Sequence, residues 1–179
     1  NDSTLFIQVK DENTVLLNST EISLGRLSKQ IETTLQQRLE IRYAQIKVEP
    51  DTPAGIVQDI SKILGNFSQL NVSLRMVSLE AMLPPEDPHM AFDKIESKNK
   101  ALILINKLGN MMVDEHPTDM AEMKAHIQKR LQDNPNLVID VTTAPKAQVH
   151  YQLGVLEELQ KIGVKRLSLN AQKPRQPQP

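Results

Sequence analysis

The chain of 179 residues has a formal net charge of −1, with 39% apolar and 3% aromatic residues. So small a charge argues against nucleic acid and anionic lipid as partners, because both are bound through a strongly basic surface. The lack of cysteine excludes disulfides, thiolate metal ligands and a cysteine nucleophile, and the shortage of aromatic residues predicts an aliphatic core.

The first segments predict a β-hairpin followed by a helix. A short apolar strand, Leu5–Val9, leads through a turn at residues 11–13 to a second strand in which Val15 and Leu17 alternate with other residues. The helix is expected from about residue 20 to 39. Its apolar residues recur with helical spacing, at Leu24, Leu27, Ile31 and Leu35.

The next segments predict a third strand, a second helix and a final strand. Ile46 and Val48 mark the third strand. Thr52 followed by Pro53 is typical of a helix start, with a capping hydroxyl before a proline in the first turn. The apolar residues of that helix are Ile56, Ile60 and Ile63, and those of the final strand are Val72, Leu74 and Met76.

The second half of the chain repeats this pattern. Adding 96 to the first helical positions gives Met120, Met123, Ile127 and Leu131. Beyond the helix the offset falls to 93, because the first copy has about three more residues in its next loop, and loops tolerate such differences. This offset pairs the third strands, the second helices and the final strands. The second helix of this copy is expected to start near Thr143–Pro145 and to stop at Ile162-Gly163, before the final strand.

The repeat predicts an α+β fold of two tandem domains, each ββαβαβ. Because βαβ crossovers are right-handed, each small mixed sheet should carry both helices on one face. The copies are assigned to residues 1–78 and 101–170. Residues 79–100 are assigned to a semi-extended linker or short extra helix, and the proline-rich residues 171–179 to a disordered tail.

Few residues suggest chemistry. The four histidines are not in metal-ligand spacing, and no glycine-rich phosphate-binding motif or nucleophile elbow is present. The adjacent carboxylates Glu86-Asp87 and Glu157-Glu158 are expected on solvated surfaces rather than across a cleft. We therefore predict no enzyme activity, no metal site and no cofactor. The histidines are His89, His116, His126 and His150.

The second copy resembles the periplasmic domain of the ExbD/TolR family. The segments that carry the resemblance are Gly109–Asp114, Leu137–Val141, Gln148–Val164 and Lys165–Leu169. In the second helix, the family's short motif is matched by Tyr151, Val155, Leu156, Leu159, Gly163 and Val164. The first copy follows the same order with a poorer ending, since Leu70 or Asn71 stands in place of the glycine.

The resemblance implies the periplasmic part of an accessory subunit of an inner-membrane motor driven by the proton motive force. An N-terminal transmembrane helix, absent from this chain, would carry an ionisable aspartate and contact an ExbB/TolQ-like membrane subunit. The periplasmic domain would dimerise and bind a TonB- or TolA-like protein. The longest unbroken apolar run, Ala101–Ile105, is far shorter than the roughly 20 residues that span a bilayer.

Two interpretations remain open from the sequence. In the first, an exposed edge strand accepts a partner segment by β-augmentation, and the final strand residues are the candidates. In the second, the tandem domains sense a small molecule bound between them. Because the family usually has one such domain per chain, we also expect either a homodimer or an intrachain pseudo-dimer. The candidate edge residues are Lys165, Arg166, Leu167, Ser168 and Leu169.

Overall fold

The chain divides into two compact units. A computed structural model describes residues 3–76, 79–83 and 94–171. The boundary between the units falls after Glu86, except that Pro53–Gly55 group with the second unit. Each unit consists of a mixed sheet packed with helices, which confirms the predicted α+β class.

The first unit has six strands and two helices. Its sheet has the strand order β3-β2-β1-β4-β5-β6, with β1, β4 and β5 parallel to one another and the other strands antiparallel to their neighbours. The elements are β1 (Thr4–Val9), β2 (Thr14–Leu17), β3 (Thr20–Ser23), α1 (Leu24–Gln37), β4 (Tyr43–Val48), α2 (Ala54–Gly65), β5 (Asn71–Met76) and β6 (Leu79–Met82).

The second unit repeats this topology with five strands. Its order is β11-β10-β7-β8-β9, and β7, β10 and β11 are parallel. One turn of 3-10 helix, Ser97–Asn99, precedes it. The elements are β7 (Lys100–Ile105), β8 (Met111–Val113), β9 (His116–Thr118), α3 (Met120–Asp133), β10 (Val138–Thr143), α4 (Val149–Lys161) and β11 (Arg166–Asn170).

Both helices of each unit lie on one face of its sheet. The two crossovers of a unit step in the same direction across the parallel strands, so right-handed connections place their helices on the same side. In β1 the residues on the helix side, Leu5 and Ile7, are buried, whereas Phe6 between them is 45% exposed. The opposite side is called the helix-free face below.

The helical stripes are confirmed as the centre of each core. Leu27 and Ile31 in α1, and Met123 and Ile127 in α3, have no exposed surface. Burial of each such side chain contributes roughly 1.5–3 kcal/mol relative to an exposed position. Within the described ranges, none of the helices combines the length and the apolar composition of a membrane-spanning segment.

The predicted order ββαβαβ lacks one strand before the first helix of each copy, and the first unit also has β6 after its final predicted strand. The order shared by both units is βββαβαβ, because the residues assigned to the start of the first helix, 20–23, instead form β3, and β9 corresponds to it. The connecting turns are Asn18-Ser19 and Asp114-Glu115, with φ angles of 47° and 75° and of 47° and 74°. Two left-handed residues in succession make the tight hairpin turn that suits twisted strands.

The side chains of these two turns also make the same hydrogen bond. Asn18 Oδ1 accepts the backbone N–H of Phe6 at 3.0 Å, and Asp114 Oδ1 accepts that of Leu102 at 3.0 Å. Asp114 lies 96 residues after Asn18, and Leu102 lies 96 residues after Phe6. The repeat therefore includes a specific hydrogen bond as well as the apolar spacing.

Three predicted boundaries also differ from those in the structure. Residues 79–82, assigned to the linker, form β6 on the edge of the first sheet, and Lys100 already belongs to β7. The helix expected near Thr143–Pro145 begins only at Val149, because Thr143 is still the last residue of β10. The rest of the predicted linker at 84–93, and the predicted tail from 172 on, lie outside the described residues.

Candidate functional site

The candidate strand lies at the edge of the second sheet. β11 pairs with β10 in parallel, with Leu167 opposite Ile139 and Ser168 opposite Asp140. It is the terminal strand in the sheet order of the described residues. The strand covers Arg166–Asn170, so the predicted residue Lys165 lies just before it and Asn170 extends it.

A tight helix end directs the chain into β11. After α4, Gly163 has φ +93°, its N–H bonds to Gln160 O at 3.2 Å, and the Val164 N–H bonds to Leu159 O at 3.1 Å. These two bonds and the left-handed glycine form a Schellman motif, which satisfies the last carbonyls of the helix. The predicted helix stop at Ile162-Gly163 is therefore confirmed, and the motif fixes where the edge strand begins.

A buried carboxylate ties β11 to β10 on the helix-free face. Asp140 is only 4% exposed. Its Oδ1 accepts from Asn170 Nδ2 at 2.6 Å and its Oδ2 accepts from Thr142 Oγ1 at 2.5 Å. A buried carboxylate without such donors would be costly, so these bonds favour one register of the edge strand. Ser168 Oγ extends the group, 3.4 Å from Asn170 Nδ2.

The two ends of β11 differ in charge. Lys165 and Arg166 are exposed at its start, while Ser168 and Asn170 at its far end are neutral and half-buried, and Asn170 donates to Asp140. On the helix side Leu167 is 6% exposed. The edge therefore combines a basic end, an apolar helix side and an outer strand, the kind of element to which extended peptides add in β-augmentation.

Three of the four histidines lie within the described residues. No group of three or more metal-ligand side chains occurs within the described residues, and His89 lies outside them. His126 instead lies 3.3 Å from Asp114, and His150 lies 2.7 Å from Gln148 beside the ring of Tyr151. His116 is exposed on β9.

The carboxylate pair on α4 forms ordinary ion pairs. Glu158 Oε2 lies 2.8 Å from Lys124 Nζ, and Glu157 Oε1 lies 3.3 Å from Lys161 Nζ. The hydrogen bond from Lys124, with its positive charge, lowers the pKa of Glu158. The hydrogen bond and charge of Glu157 raise the pKa of Lys161. The other predicted pair, residues 86–87, lies outside the described residues.

A shallow depression marks the helix-free face of the first sheet. Phe6, Leu16, Gln45 and Lys47 contribute to its walls. Its described lining also includes Ser19, and Lys47 is the one charged side chain in it.

Sequence reasoning missed an arginine that holds the start of the second unit. Arg130 on α3 donates to the backbone carbonyls of Lys100, Ser97 and Lys98 at 2.7, 3.0 and 3.2 Å, and to Asp114 Oδ2 at 3.1 Å. A planar guanidinium with five donors is suited to joining several acceptors at once. The equivalent residue of the first copy, 96 positions earlier, is Thr34. The change from threonine to arginine at equivalent positions was the signal in the sequence that could have identified Arg130.

No protein-family model matches the chain, and no curated protein is significantly similar to it.

Proposed function

We propose that the chain is the periplasmic part of an accessory subunit, similar to ExbD and TolR, of an inner-membrane motor driven by the proton motive force. In this role it lies on the periplasmic side of the inner membrane and is anchored by an N-terminal helix, through which it contacts an ExbB/TolQ-like subunit. It transmits force to a TonB- or TolA-like protein by protein–protein contact.

The edge position of β11 is the observation that supports this proposal most. The segment 165–169, which resembles the family's final strand, coincides with an outer strand of the sheet. An outer strand can transmit force to a partner through main-chain hydrogen bonds, since strand addition needs no prior pocket. In the first copy the equivalent edge is occupied by β6.

The proposal is tested by photo-crosslinking in the bacterium that makes the protein. A photoreactive amino acid replaces Arg166 in the native gene product, and the matched control places it at Lys129, which is exposed on α3. We expect a crosslink to a TonB- or TolA-like protein from position 166 only. We also expect that crosslink to weaken when a protonophore collapses the proton motive force.

Two outcomes would overturn the proposed function. One is equal crosslinking from positions 166 and 129, which would indicate random contact. The other is a specific crosslink that does not respond to the protonophore, because force transmission coupled to the membrane potential requires that response.

A further inference from the structure

Two cationic side chains lie next to each other on the helix-free face of the first sheet. Lys47 on β4 is paired in register with Arg75 on β5, and Ile46 and Val48 on either side of Lys47 are buried on the helix side. Both cations are exposed, and neither forms an ion pair with a carboxylate of the described residues. Because like charges on neighbouring strands repel each other, this pairing favours a bound anion.

Two carboxylates lie in the same row of this sheet but are directed to other partners. Glu21 lies on β3 at one end of the row, and its Oε1 is 3.0 Å from Lys10 Nζ. Glu80 on β6 lies opposite Arg75, but its Oε1 accepts from Gln45 Nε2 at 3.2 Å. The positive charge at the centre of the row is therefore not neutralised by a direct ion pair in the described part of the chain.

The shallow depression on this face connects the cations to apolar side chains. Leu16 lies opposite Gln8 and Gln8 opposite Lys47, so the distance across the strands from Leu16 to Lys47 is two strand spacings, roughly 10 Å. Leu16, which is half-buried, and Phe6, which is 45% exposed, give one end of the depression its apolar surface. Arg75 lies one strand beyond Lys47 at the other end. The depression therefore has a charged end and an apolar end.

The second copy shows that the fold does not require these cations. At the offset of 93, Lys47 corresponds to Asp140 and Arg75 to Ser168, and the two pairs have the same register. Asp140 is buried and accepts a hydrogen bond from Asn170, so the equivalent place in the second sheet has no positive charge. The cationic pair therefore distinguishes the first copy from the second, as a binding feature of one copy would.

We propose that the first copy binds a small carboxylate with an unbranched apolar chain in this depression. The carboxylate group lies between the Lys47 ammonium and the Arg75 guanidinium, and the chain crosses β1 towards Phe6 and Leu16. A chain of about eight carbons matches the roughly 10 Å between Lys47 and Leu16. A small anion without such a chain would leave the exposed ring of Phe6 uncovered. This inference does not depend on the proposed function.

The experiment titrates the whole chain with octanoate, below its micelle concentration, and follows backbone amides by NMR. We expect saturable chemical-shift changes in β1, β2 and β4, and none in the equivalent strands of the second copy, which are the internal control. Butanoate should bind roughly tenfold more weakly, because each half-buried methylene contributes about twofold in affinity. Octylammonium, which has the same chain length and the opposite charge, should give no saturable change.

Two substitutions should change the affinity in opposite directions. Lys47→Gln removes a cation and should weaken octanoate binding by about threefold to fivefold, which is the effect of a favourable exposed ion pair. Glu80→Gln removes the neighbouring negative charge but keeps an acceptor for Gln45, and it should strengthen binding by about twofold. Lys29→Gln, which removes a positive charge from the exposed side of α1, should leave the affinity unchanged. All three variants change exposed side chains, so all should fold.

Several results would overturn the inference. These are the absence of saturable shifts with octanoate, equal shifts in both copies, or octylammonium binding as tightly as octanoate. Equal weakening by Lys47→Gln and Lys29→Gln would also overturn it, because the effect would then come from net charge. A parallel titration uses vesicles of phosphatidylglycerol. Binding to these vesicles without binding to free octanoate would refute a small-molecule site, since the ligand would then be a membrane surface.

Discussion

Two substitutions of Asp114 separate the contribution of its side-chain hydrogen bond to Leu102 from the contribution of its charge. Asp114→Ala removes the acceptor for the Leu102 N–H, removes the ion pair with Arg130 and places alanine at φ 47°. A half-buried hydrogen bond to a charged group contributes about 1.5 kcal/mol, and a left-handed alanine costs about 1 kcal/mol. With a small contribution from the partly exposed ion pair, we expect the second unit to lose about 2–3 kcal/mol.

Asp114→Asn keeps the acceptor oxygen and the tolerance for positive φ, and removes only the charge. We expect a loss of about 0.5–1 kcal/mol, because the side chains of Asp114 and Arg130 are 35% and 21% exposed and solvent screens their attraction. The matched control is Asn18→Asp in the first unit. Its neighbours equivalent to His126 and Arg130 are Gln30 and Thr34, so the added charge should gain nothing.

The measurement is urea unfolding followed by circular dichroism, combined with amide hydrogen exchange, which reports each unit separately. Hydrogen exchange is needed because two units can unfold in separate steps. If Asp114→Asn costs as much as Asp114→Ala, the charge dominates and the hydrogen-bond argument is refuted. If Asn18→Asp stabilises the first unit, the ion pair is not the distinguishing feature of the second turn.

Three further substitutions test the packing and charges of the second unit. Gly109→Ala should lower the free energy of unfolding by more than about 1 kcal/mol, because the added Cβ would lie 2.5 Å from the Tyr151 ring and the φ of this residue is +87°. In a Tyr151→Ala background the contact with the ring is removed, so thermal unfolding should show only the loss that comes from the backbone conformation. Met123→Ala should cost about 2–5 kcal/mol in urea unfolding, and a smaller loss would mean that the core collapses into the cavity. Because Lys124 lowers the pKa of Glu158 in the folded state, the stabilisation from this pair is complete above the carboxyl's unfolded pKa and is lost as pH falls through the folded one. Glu158→Gln should therefore reduce the loss of stability in acid titrations, and an unchanged pH profile would contradict that assignment.

The parts of the fold that the sequence predicted are those with strong periodicity. The α1 and α3 stripes and the parallel strands were found because a buried helix face or strand face repeats its apolar residues at fixed spacing. The edge at β11 was found because Gly163 marks the end of α4 and a short alternating strand follows it. These signals are local and do not depend on which strands become neighbours.

The missed parts depend on information that apolar spacing does not contain. β3 and β9 were hidden because Asn18-Ser19 and Asp114-Glu115 make left-handed turns without glycine, which is the usual signal. The buried position of Asp140 was hidden because its partner Asn170 lies on another strand. The register of β5 with β6 was missed as well, because it is defined by backbone hydrogen bonds such as that from the Leu83 N–H to Val72 O. Composition and apolar spacing do not contain that information.

The strand β6 also decides how the duplicated chain can be divided. A fragment of the first copy that stopped at residue 78 would lack Leu79–Met82 and leave β5 as an outer strand. Such a fragment would be prone to pair through that strand with other chains, and its association would be mistaken for native dimerisation. A faithful single-domain version of the first copy therefore extends at least to Leu83, whose N–H closes the ladder on Val72.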